Sequence, residues 1–89
     1  MDELQKIVKD INLPIPLSEN AFMTLGKNRI PDFGFIMQQH LSPLISYIDM
    51  NVTVPPGGGP GSYLLPLTDR RYLKITLREN ELVGLELVG

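Results

Sequence analysis

The sequence predicts an α+β fold: N-terminal amphipathic helices followed by a small antiparallel β-meander of about three to four strands, ending in a C-terminal hairpin. Three observations carry this expectation. Apolar residues in the first part recur at i, i+3, i+4 and i+7, the period of one helical face. From about residue 46 they alternate with a period of two, as a half-buried strand requires. The last segment, "RRYLKITLRENELVGLELV", holds two alternating runs around one polar turn. The 89 residues suit a single domain. Its helical part covers about 2–43 and its meander about 46–88, with a flexible Pro/Gly loop at 55–61.

The first helix has the clearest signals. Asp2 caps it and Gln5 stands three residues on, as a capping box requires; Leu4, Ile7, Val8 and Ile11 then form one apolar stripe. Asn12 and Pro14 end it. "LPIPLSEN" is extended, because a residue before proline avoids the helical region. Ser18 reads as the N-cap of a short helix over "ENAFMTL", closed by Gly26. A further helix follows Asp32, with Phe33, Ile36, Met37, His40 and Leu41 on one face; Pro43 stops it, or starts another turn with Ser42 as its cap.

The period then changes. In "SYIDMNVTV", Ile48, Met50, Val52 and Val54 lie on one face of a strand; "SYLLPL" alternates Tyr63, Leu65 and Leu67. A three-residue loop at Glu79–Asn80–Glu81 pairs Leu77 with Val83, Ile75 with Leu85 and Leu73 with Leu87. Slipping the register by one would mix the two faces. Such a loop puts its left-handed residue at Asn80, the best candidate it offers.

Composition narrows the function. There is no cysteine, which removes disulfides, thiolate metal sites and cysteine nucleophiles, and makes the reducing cytoplasm the expected compartment. The acidic start "MDEL" is the wrong charge for a signal peptide, and no uninterrupted apolar run is long enough to cross a membrane. A net charge of −2 gives no global attraction to nucleic acid or acidic lipid.

Few motifs suggest chemistry. His40 is the only histidine; no carboxylate or nucleophile stands at a spacing that would make it a base, and it reads as a structural residue. "DFG" at Asp32–Gly34 lacks every other part of a kinase, and "NVT" at Asn51–Thr53 falls inside an expected strand. The seven-residue run Pro55, Pro56, Gly57, Gly58, Gly59, Pro60 and Gly61 has no following lysine, and its prolines remove the amide donors a phosphate cradle needs. It reads as a hairpin connection longer than the usual two to five residues. No catalytic residue, metal site or cofactor is expected.

Two features point to binding. From Ile30 through Thr68, thirty-nine residues carry only two charges, Asp32 and Asp49, while Phe and Tyr are retained. Depletion of charge with retention of aromatics is the composition of an interface core. The expected protein interface comprises Phe33, Phe35, Tyr47, the run from Pro55 to Gly61, and Tyr63. The other feature is a basic–aromatic strand face, Arg70, Tyr72, Lys74 and Arg78 with Arg71 beside it, which would suit a nucleotide or single-stranded nucleic acid. Its bland alternative is an ordinary charged sheet surface, since Glu79, Glu81 and Glu86 lie close by. The favoured reading is a non-enzymatic interaction module, a regulator, inhibitor or assembly component, that binds another protein or itself. The nucleic-acid reading is the alternative.

Overall fold

The computed structural model describes residues 2–49 and 61–89. They form an α+β structure in which two helices and two 3-10 turns cover one face of an antiparallel sheet, with a separate two-stranded ribbon inserted between the helices.

Helix α1 (Glu3–Asp10) starts where the capping box places it. The Asp2 carboxylate accepts from the Gln5 backbone N–H at 2.9 Å, and the Asp2 N–H donates to Gln5 Oε1 at 3.1 Å. Leu4 is buried, and Ile7, Val8 and Ile11 pack against the core from the same stripe. The chain then turns into strand β1 (Ile15–Pro16). This strand is short because its prolines supply no ladder donor.

The expected helix over "ENAFMTL" is corrected by the structure. Only Glu19–Ala21 turns, as a single 3-10 turn, and β2 (Phe22–Leu25) and β3 (Asn28–Pro31) form a hairpin. The helical part of the chain therefore contains a β-insertion. Gly26 does not close a helix; it occupies the first position of a two-residue loop at φ +63, a role glycine fills without a Cβ penalty. Met23 opposite Ile30 and Thr24 opposite Arg29 fit a pleated surface better than one short helical turn.

Helix α2 (Phe33–His40) follows, its first turn held by the Asp32 carboxylate accepting from the Phe35 N–H at 3.1 Å. Ile36 and Met37 are buried. A 3-10 segment, Ser42–Tyr47, continues past Pro43 and takes in the first residues of the expected strand. Ile48 forms one antiparallel bridge with Leu67; positions 50–54 of that expected strand lie outside the described residues.

Strands β4 (Ser62–Pro66), β5 (Tyr72–Arg78) and β6 (Glu81–Val88) complete the meander, and the sheet order is β1-β6-β5-β4. The register pairs Leu73 with Leu87, Ile75 with Leu85 and Thr76 with Gly84, as the alternation predicts. Closer to the turn it departs: Leu77 pairs with Leu82, Arg78 with Glu81, and Val83 is the extra residue of a β-bulge. The loop is thus two residues, Glu79–Asn80, and the left-handed position is Glu79 (φ 56), not Asn80. The bulge reverses the parity of β6, so that Leu82 joins Leu85 and Leu87 on the inner face. Leu73, Ile75 and Leu82 are fully buried there with Ile36, Leu41 and Leu44 from the helical layer.

Candidate functional site

The residues expected at an interface divide by position. Phe33 at the start of α2 meets Tyr63 on β4 edge-to-face, ring centroids 5.1 Å apart. Phe35 and Tyr47 are also half-buried, and all four rings pack on the core. Pro55, Pro56, Gly57, Gly58, Gly59 and Pro60 lie outside the described residues. Gly61 is described, and its geometry is demanding. It stands at φ +83, its carbonyl accepts from the Leu77 N–H at 2.6 Å, and a Cβ would sit 2.4 Å from the Leu77 carbonyl oxygen. Only glycine fits where the chain returns to the sheet.

The basic–aromatic group is not one surface. Arg70 lies in the turn before β5 at φ 73. Arg71 is committed to structure: its guanidinium donates to Asp69 Oδ2 at 2.7 Å and to Asp2 Oδ2 at 2.8 Å. This ties the N-cap of α1 to the sheet. The Gln5 N–H, and after it the Arg71 guanidinium, hold the Asp2 carboxyl below its ordinary value. Asp69 is lowered as well, chiefly by the side-chain bond from Arg71. Tyr72 and Lys74 project from the outer face of the sheet, beside Leu64 and opposite Val88 and Glu86. Arg78 stands opposite Glu81 at the hairpin end. Lys74 and Arg78 thus each face an acid across the ladder.

Among the described residues, two groups of apolar side chains on strands stay open to solvent. One is this outer face, where Leu64 and Val88 are exposed and Tyr72 is 44% exposed. The other is the β2–β3 hairpin, which sequence reasoning missed. Met23 is 45% and Leu25 61% exposed, and the register sets both on one face with Ile30. The hairpin base is anchored: Ala21 and Pro31 are buried, and the Asp32 N–H donates to the Ala21 carbonyl at 2.8 Å. Arg29 lies 3.6 Å over the Phe22 ring and bonds Glu19 Oε1 (3.1 Å) and Asn80 Oδ1 (2.7 Å), pinning the hairpin to the end of the sheet. Beyond this base, residues 23–29 are all exposed, and the molecule is elongated at 41 × 26 × 22 Å. The sequence carries a signal for it: "GK", with glycine first, stands between the alternating Met23-Thr24-Leu25 and Asn28-Arg29-Ile30, as a two-residue hairpin turn allows.

An open cleft of about 310 Å³ lies under the arm, lined by Phe22, Arg29, Pro31, Gly61, Tyr63, Leu77 and Glu79. Its one cation is already engaged by Glu19 and Asn80. Among the described residues no group of three His, Cys, Asp or Glu could hold a metal, and no helix is long and apolar enough to cross a membrane. His40 sits half-buried at the end of α2 and makes no ion pair among the described residues. No protein-family model, curated protein or solved structure matches the chain.

Proposed function

We propose that the protein is a non-enzymatic interaction module, a regulator, inhibitor or assembly component, that works as a homo-oligomer through charge-poor apolar surface. The observation that supports this reading is the hairpin arm. It carries Met23, Leu25 and Ile30 on one face, yet among the described residues neither strand pairs with any strand beyond the other. A two-stranded ribbon alone is marginal in water, so an arm of this kind gains stability when a partner covers it. The cysteine-free composition suits a reducing compartment, and we assign the module to the cytoplasm.

The alternative, a binder of nucleotide or single-stranded nucleic acid, has less support. Arg71 is held by two carboxylates, and Lys74 and Arg78 stand opposite Glu86 and Glu81. Sedimentation velocity of the intact protein over a wide concentration range tests the first reading. A sedimentation coefficient that rises with concentration supports it; a strict monomer throughout removes self-association. Titration with a fluorescent oligonucleotide at two salt concentrations tests the second. Salt-dependent binding lost in Lys74→Ala with Arg78→Ala would favour it over the first.

A further inference from the structure

The two edges of the arm are not equivalent. Strand β3 reads Asn-Arg-Ile-Pro: it carries a charge, and its Pro31 has no N–H. These are the devices by which natural sheets blunt an exposed edge. Strand β2 reads Phe-Met-Thr-Leu, with no charge, proline or glycine. It is apolar, suited to strand pairing, and unprotected.

The register says which groups this edge offers. The Asp32 N–H to Ala21 carbonyl bond identifies residues 21 and 32 as a hydrogen-bonded pair, and the alternation of an antiparallel ladder continues it through Met23–Ile30 and Leu25–Asn28. Phe22 and Thr24 therefore turn their backbone groups away from β3. The Phe22 N–H is taken by the Glu19 carbonyl. Thr24 presents both its N–H and its C=O outward, at the centre of the unprotected edge.

We propose that this edge pairs with itself: β2 of one molecule lies antiparallel to β2 of a second copy about a two-fold axis at Thr24, making one four-stranded sheet shared by two molecules. The inference rests on the self-association reading above and names its contact. The pattern is self-complementary. With Thr24 opposite Thr24, Met23 falls opposite Leu25 in both halves, so the exposed apolar side chains become cross-strand neighbours. The charges agree as well. The same register puts Lys27, at the tip of each arm, over the start of the other arm, where Glu19 is 78% exposed. No like charges meet along the pairing. The interface is isologous and closes at two copies, and the protected β3 edges then flank the new sheet.

The absence of cysteine supplies a direct test. Directly opposed residues of a hydrogen-bonded antiparallel pair have Cα atoms about 5.5 Å apart, within the span of a disulfide. Thr24→Cys is oxidised at a concentration where wild type sediments as a dimer, with Lys27→Cys as the control, since two-fold pairing keeps the two tips apart. Rapid, near-complete cross-linking of the Thr24 variant and little of the control is the expected result. In parallel, Thr24→Lys and Thr24→Glu are sedimented singly and mixed. Each alone places like charges opposite one another and weakens the dimer roughly tenfold or more, and mixing the two restores it. Both sites are exposed, and circular dichroism checks that each variant keeps the wild-type fold. A wild-type dimer whose Thr24→Cys cross-links no faster than the control overturns the β2 contact and leaves self-association standing. A wild type that stays monomeric overturns both.

Discussion

At the scale of single residues, two glycines with positive φ make opposite demands. A Cβ at Gly26 meets nothing within 4 Å, whereas one at Gly61 strikes the Leu77 carbonyl. Gly26→Ala should cost only the left-handed backbone term, about 1 kcal/mol. Gly61→Ala adds a steric clash and should cost about 3 kcal/mol or more, because β4 and β5 must separate where they meet. Urea unfolding of the two variants measures the contrast. Acid offers a second test. Asp2 is held below the ordinary carboxyl value of 3.8 by the Gln5 N–H and by Arg71, and Asp69 by Arg71. A carboxylate whose folded pKa is depressed stabilises the fold fully above its unfolded value and loses that contribution as pH falls through the folded one. The urea midpoint should therefore drop below about pH 4, and Asp2→Asn with Asp69→Asn should flatten that drop.

At the scale of elements, the β5–β6 hairpin decides how its apolar side chains are used. Alternation around a three-residue loop puts Val83 in the core; the bulge puts Leu82 there instead, fully buried, and leaves Val83 half-exposed. Leu82→Ala should cost about 2–5 kcal/mol, the range for truncating a buried leucine. Val83→Ala should cost less than about 1 kcal/mol, a difference thermal or urea unfolding resolves easily. Other elements were legible because their determinants are local. The Asp2–Gln5 box starts α1, and Asp32 starts α2, with nothing distant required. Over "ENAFMTL", which includes β2, the sequence suggests a helix because Ser18 and Gly26 resemble the two ends of one. The determinant of the β2–β3 hairpin is equally local, the pairing of Met23-Thr24-Leu25 with Asn28-Arg29-Ile30 across a two-residue turn that opens with Gly26, and it competes with the helix-end signals over the same residues.

At the scale of the whole molecule, stability is unevenly distributed. The core joins the inner face of the sheet to α1, α2 and the 3-10 segment, while the arm touches the body mainly at its base. Native-state hydrogen exchange at low protein concentration should find Leu73, Ile75 and Leu82 amides opening only with global unfolding. The Met23 and Leu25 amides should exchange far sooner, and slow exchange there in dilute protein would contradict an arm that is unsupported when free.

The sequence by itself determined what depends on neighbours a few residues apart: the fold class, the two helix starts, and the inner pairs Leu73–Leu87 and Ile75–Leu85. The same local logic explains how far it located the exposed apolar surface. Charge depletion marked residues 30–68, but Phe33, Phe35, Tyr47 and Tyr63 turn half inward to close a small core. Met23 and Leu25, just outside that stretch, are left in solvent. Tertiary structure alone decided this division, because apolar residues look alike along the chain and differ only in whether the fold brings another element over them. Phe33 and Tyr63 cover each other, and among the described residues no strand covers the outer edge of β2.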